Sequence, residues 1–130
     1  MKTLIVEDDV TSRLLLQELL RDYGSSQVAT NGIEAVAAVS AALESNDPYN
    51  LICLDIMMPV MDGQRALKEI RELESQRGRV AKLGARILMT TALRDKDNIM
   101  QSFRAQCDGY LVKPIDKRKL LEQLRQLELL

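Results

Sequence analysis

Three apolar runs in this chain end on residues able to do chemistry. Leu51-Ile52-Cys53-Leu54 closes on Asp55 and opens a turn from Ile56 to Gly63, Leu4-Ile5-Val6 runs into Glu7-Asp8-Asp9, and Tyr110-Leu111-Val112 runs into Lys113-Pro114. A short apolar run ended by a carboxylate reads as a buried parallel strand that delivers an acid to the sheet's C-terminal rim. In open parallel sheets that rim is where ligands bind. Three carboxylates gathered there, Glu7, Asp8 and Asp55, repel one another and raise one another's pKa unless a cation intervenes. In a chain without histidine, crowded carboxylates are hard oxygen donors that suit Mg²⁺, an ion that keeps waters and shares its shell with phosphate. Lys113 offers a point charge for the same phosphate. Taken singly, Glu7-Asp8-Asp9 also reads as a solvated turn and Lys113 as an ordinary loop lysine. Asp9 reads as a helix-start residue.

The elements that must position these groups follow from the pattern. Strands are expected at Thr3 to Val6, Gln27 to Ala29, Leu51 to Asp55, Arg86 to Thr91 and Tyr110 to Val112, the second carrying the weakest signal. Helices are expected between them. Asn31-Gly32-Ile33-Glu34 resembles a capping box, Asp62 and Asp116 are candidate N-caps, and Gly24 is a helix stop. Leu120, Leu121, Leu124 and Leu127 form a core-facing stripe on the last helix. Strands alternating with helices imply a parallel sheet covered on both faces.

In order and spacing, Glu7-Asp8, the Asp55 to Gly63 stretch, Thr91-Ala92 and Lys113-Pro114 resemble the receiver domain of two-component response regulators, the chemotaxis-type phosphoacceptor fold. The resemblance covers essentially the whole chain. It implies an α/β, flavodoxin-like, doubly wound five-stranded parallel sheet of order 2-1-3-4-5, and a single receiver domain over residues 1–130 with no output domain. It also implies that Asp8, Asp55 and the backbone carbonyl of Met57 bind Mg²⁺, with Glu7 acting largely through water. Asp55 would then be the nucleophile and phosphorylation site, Lys113 the cation that offsets the phosphoryl charge, and Thr91 the hydroxyl that reaches a phosphoryl oxygen. Thr90 competes for that last role, but adjacent strand residues face opposite ways and Ala92 follows Thr91. Thr91 and Tyr110 are expected to switch together, Tyr110 turning inward from an exposed rotamer. The phosphoryl donor implied is a sensor histidine kinase or a phosphotransfer protein. The readout surface implied is the fourth helix, from about Asp95 to Ala105, with the fifth strand and the last helix, acting on a downstream protein as a monomer or a phosphorylation-dependent dimer.

The chain departs from the family pattern at Ile115, where an aromatic is common, at the apolar Met57 and Leu93, and in a long connector from about Ser75 to Ala85. Met57 and Leu93 suggest slow self-dephosphorylation. The connector, with Arg77, Arg79 and Lys82, reads as a solvated loop, with a partner contact as the alternative.

Composition narrows the function classes. A length of 130 residues with 46% hydrophobic content is near the commonest domain size and needs no disulfide or metal staple. A net charge of −1 and 3% aromatic content argue against nucleic acid as a partner and against a polybasic membrane patch. Without a signal peptide or an apolar run near about 20 residues, a cytoplasmic protein is expected. Cys53 and Cys107 lack metal-ligand spacing and read as buried reduced thiols. A haloacid-dehalogenase-type phosphatase would need Asp-x-Asp after the first strand, which Glu7-Asp8-Asp9 does not supply. A flavin carrier would need a glycine-rich phosphate loop there, and a pseudo-receiver would lack site residues that this chain retains.

Overall fold

The apolar runs form five parallel strands, β1 (Thr3–Val6), β2 (Ser26–Ala29), β3 (Leu51–Asp55), β4 (Arg86–Thr91) and β5 (Gly109–Val112), in the order β2-β1-β3-β4-β5. The computed structural model describes residues 1–58, 60–79, 83–92 and 106–130. β2 and β5 each begin one residue before the expected start. The central β3 is buried at every position, which is why its sequence is a continuous apolar run rather than an alternating one.

Alternation along the strands divides the apolar residues between two faces. Leu4, Val6, Ile52, Leu54, Ile87 and Met89 pack with α2 (Gly32–Glu44) and α3 (Gly63–Gln76). Ile5, Cys53, Leu88 and Leu111 pack with α1 (Val10–Leu20) and with Leu120 and Leu124 of the last helix (Lys117–Gln126). Leu121 and Leu127 of the expected stripe are only partly buried against this second core. Leu54 is fully buried, so Leu54→Ala would cost about 2–5 kcal/mol through lost burial and the cavity left behind.

Each described α-helix starts on a side-chain cap. Asp9 accepts from the Ser12 amide at 2.9 Å, Asn31 from Glu34 at 2.9 Å, Asp62 from Arg65 at 3.0 Å and Asp116 from Arg118 at 3.0 Å. The expected capping box at Asn31 closes one residue farther back: the Glu34 carboxylate accepts from the Thr30 amide at 2.7 Å. After α1 a short 3₁₀ turn, Arg21–Tyr23, ends at Gly24 with φ of 132°, a backbone region glycine enters without steric cost. α3 runs to Gln76, so Ser75 and Gln76 of the expected connector are helical. Lys82, Leu93 and the expected fourth helix from about Asp95 to Ala105 lie outside the described residues.

At the foot of the sheet, opposite Asp55, one guanidinium fastens three segments. Arg71 of α3 donates to the Gln106 carbonyl at 2.8 Å, to the Ala85 carbonyl at 2.8 Å, to Glu74 at 2.6 Å and to Asp108 at 3.0 Å. Glu74 is buried and accepts from the Ala85 amide at 2.7 Å, and Asp108 accepts from Ile87 at 2.8 Å. This network holds the starts of β4 and β5 against α3. None of its side chains carries a signal of this role in the sequence.

Candidate functional site

The strand order places the switch point between β1 and β3, where connections leave in opposite directions and a crevice opens at the strand ends. Glu7 follows β1 directly, and Asp55 is the last residue of β3. Both are buried, Glu7 at 1% and Asp55 at 3% exposure, whereas Asp8 is exposed. One carboxylate oxygen from each of Glu7, Asp8 and Asp55 lies within 4.8 Å of the others. Lys113 enters from the end of β5, with Nζ 2.7 Å from Glu7 Oε1 and 3.2 Å from Asp55 Oδ2. Its peptide bond to Pro114 is cis.

The charges do not balance. Two buried carboxylates share one ammonium, and Glu7 Oε2 is buried with no hydrogen-bond partner. Burial first, then the neighbouring Asp55 carboxylate, push the Glu7 pKa up to about 7, against the opposing pull of Lys113. Burial disfavours the Lys113 charge, yet the hydrogen bond to Glu7 and the charge of Asp55 prevail and hold its pKa above the usual lysine value. An orphaned carboxylate oxygen beside two further oxygen donors is what a hard divalent cation would satisfy, so the donor set fits Mg²⁺.

The loop after Asp55 is held by close backbone contacts. The Met57 amide donates to Asp55 Oδ1 at 3.3 Å, and the exposed Met57 side chain faces away from the core. The Gly63 amide donates to the Ile56 carbonyl at 2.9 Å, and a Cβ at Gly63 would come within 2.3 Å of the Asp55 carbonyl oxygen. Only glycine admits that approach. The Met61 carbonyl accepts from Gly32 at the start of α2, at 3.1 Å. Val60 has φ of 70°, a left-handed conformation that is costly for a β-branched residue.

Both candidate threonines are buried at 2% exposure. Thr90 pairs in register with Asp55, while Thr91 lies one residue nearer the rim. The Thr91 hydroxyl donates to the Ala92 carbonyl at 3.1 Å, and its own carbonyl accepts from the Lys113 amide at 2.8 Å. The backbone therefore joins Thr91 to Lys113, a link that spacing alone did not reveal. Tyr110 is half-buried against the α2 and α3 face rather than exposed. It also borders a cavity of about 280 Å³ lined by Lys119, Glu122 and Gln123 of the last helix. Ile115 is buried in the opposite core. Cys53 is fully buried, which pushes its thiol up to about 12, whereas Cys107 is only partly buried, contrary to expectation. Burial and the neighbouring Asp108 raise the Cys107 pKa as well, and neither thiol is poised to ionise.

Known proteins share both the sequence pattern and this arrangement. The family profile described as the response regulator receiver domain matches residues 3–125. The chemotaxis protein CheY of Halobacterium salinarum is 32% identical over 124 residues, which cover 95% of this chain and 92% of that protein. The transcriptional regulatory protein ResD of Bacillus subtilis is 37% identical over 127 residues, but these span only 47% of its length. Among solved structures, the CheX–CheY–BeF₃–Mg²⁺ complex of Borrelia burgdorferi contains a chain with a TM-score of 0.81 and 26% identity, covering 98% of this chain and 89% of that one. Among the described residues no helix is long and apolar enough to cross a membrane. The profile match over nearly the whole length, the strand order and the acid cluster at the switch point agree, and the chain belongs to the response regulator receiver domain family, the phosphoacceptor switches of two-component signalling.

Proposed function

We propose that Asp55 accepts a phosphoryl group from the phosphohistidine of a sensor histidine kinase or a phosphotransfer protein. The observation that carries this reading is Asp55 at the end of the central strand, 3.2 Å from Lys113 and clustered with Glu7 and Asp8. An Asp55 carboxylate oxygen attacks phosphorus in line; the new P–O bond forms as the P–N bond breaks, and its electron pair leaves with the imidazole, which takes up a proton. Lys113 exchanges part of its contact with Glu7 for the phosphoryl oxygens. Thr91 gives up its bond to Ala92 and donates its hydroxyl to the same group.

Glu7, Asp8, Asp55 and the Met57 carbonyl would hold Mg²⁺, which when bound offsets the negative charge of the incoming phosphoryl group. Hydrolysis of the acyl phosphate by water returns Asp55 and inorganic phosphate, and the apolar character of Met57 and Leu93 motivates a slow rate for that step. The downstream partner would meet β5 and the last helix together with the region from about Asp95 to Ala105. We place this action in the cytoplasm, working through protein contacts.

The test is incubation with Mg²⁺ and acetyl phosphate, followed by mass spectrometry of the intact chain and its peptides. A single added phosphoryl group on the peptide holding Asp55, absent in Asp55→Asn, is the expected result. Phosphate on another residue, or on Asp55→Asn, would overturn the assignment.

A further inference from the structure

The arginines of the α3–β4 connector are not used by the phosphoacceptor site, and they are not equivalent. Arg77 reaches the Leu43 carbonyl at 3.4 Å and Glu44 at 4.0 Å. Arg79 is half-buried, and its Nε is shut off from solvent with no hydrogen-bond partner. Among the described residues its guanidinium makes no ion pair. Arg79 lines a polar cavity of about 220 Å³ at the foot of the sheet, together with Tyr49, Gly84, Arg86, Leu127 and Glu128. Among the described residues the guanidinium of Arg86, the second cation there, makes one ion pair, 3.7 Å from Nη1 to Asp108 Oδ1. Glu128 is the one acid among the described lining residues, and it is exposed.

We propose that this cavity binds a small, doubly charged oxyanion, held by the Arg79 and Arg86 guanidinium groups. A buried guanidinium N–H without an acceptor is costly and calls for a partner, and two planar forks match a carboxylate or phosphate bidentately. The cavity is smaller than the roughly 300 Å³ at which sites for drug-sized ligands begin, so an ion of few atoms fits and a nucleotide does not. Parts of the wall are tied to α3. The Arg79 amide donates to the Glu74 carbonyl at 2.8 Å, Ala85 is held by the Glu74 carboxylate, and a Cβ at Gly84 would come within 2.8 Å of Glu74 Oε1. Binding therefore orders little more than the two arginine side chains. The site lies at the opposite end of the strands from Asp55 and does not depend on phosphoryl transfer.

The experiment is an NMR titration of the ¹⁵N-labelled full chain, following the Arg79 Nε–H and Gly84 amide signals. Inorganic phosphate and malonate are added in separate arms, each against sodium chloride at equal ionic strength. Saturable shifts of both signals are expected with at least one of the two anions, equally in wild type and in Asp55→Asn. Arg79→Gln and Arg86→Gln should each weaken binding at least tenfold while the remaining amide spectrum stays that of the wild type. Saturation by phosphate alone identifies a phosphoryl ligand, and saturation by malonate identifies a carboxylate one. Shifts that match sodium chloride, that never saturate, or that persist in both arginine variants overturn the proposal.

Discussion

Lys113 lies closer to Glu7 than to Asp55, with Nζ 2.7 Å from Glu7 Oε1 and 3.2 Å from Asp55 Oδ2. In this state the lysine neutralises one acid well and the other less well, and the second oxygen of Glu7 is left without a partner. The acid cluster is therefore a source of instability that a cation or a proton relieves.

The proton is the first test. Glu7 has a folded pKa of about 7 against 4.5 in a model peptide, so the folded chain binds more protons between those values. Its contribution to stability is fully present below about pH 4.5 and is lost as pH rises through about 7. In buffer without divalent cations, the unfolding free energy from urea titrations should fall across this window, by on the order of 3 kcal/mol at most from this group. Glu7→Gln should flatten that slope; an unchanged slope would remove Glu7 as its source.

Charge deletion is the second. Asp55→Asn relieves repulsion with Glu7 and keeps the shape of the side chain, so the cation-free protein should gain about 1 kcal/mol, roughly 4 °C in melting temperature. Calorimetry at pH 7.5 checks this, and a lower melting temperature would mean that the Lys113 contact outweighs the repulsion.

Metal binding should act through the native state. At Mg²⁺ a hundredfold above its dissociation constant, stability should rise by about 2.7 kcal/mol. Asp8→Ala should lose most of that increment while its cation-free stability changes little, because Asp8 is exposed. An equal response to Mg²⁺ in Asp8→Ala would exclude Asp8 from the metal shell.

Val60 tests stored strain. Its φ of 70° costs a β-branched residue about 1–2 kcal/mol, and asparagine tolerates this region better. The side chain is 77% exposed, so little burial is lost in Val60→Asn, and urea denaturation should show a gain of about 0.5–1 kcal/mol.

Arg71→Met would keep the stem of the side chain, leave the buried Glu74 without its cation and leave Asp108 only its longer contact with Arg86. Breaking such a buried pair costs about 3–5 kcal/mol. Adding Glu74→Leu should recover part of the loss, as read from the double-mutant cycle.

Most of the chemistry was legible because buried parallel strands announce themselves. Leu51 to Leu54 is apolar without interruption, and the residue that ends such a run must lie on the rim. β2 was weaker because it is an edge strand whose Gln27 and Val28 are exposed, so burial imposes no pattern on them. Partners far apart in the chain were not legible. Lys113 and Glu7 are separated by 106 positions, and nothing in either segment says that the lysine rests on Glu7. Arg71 looks like any helix-surface arginine until the fold brings Gln106 and Asp108 beneath it. Nor did the sequence show how the two threonines differ in place: Thr90 stands level with Asp55, while Thr91 shares a backbone bond with Lys113.

The place of Asp55 in the central ladder governs which motions can disturb it. β3 is hydrogen-bonded on both sides, and the Ile56 amide just beyond it is tied to the Thr90 carbonyl at 3.2 Å. Freeing these amides requires parting the middle of the sheet, an opening that approaches complete unfolding in free energy. Hydrogen exchange at Leu54 and Asp55 should thus be among the slowest in the molecule. The Asp55 carboxylate is built into the part of the chain that yields last.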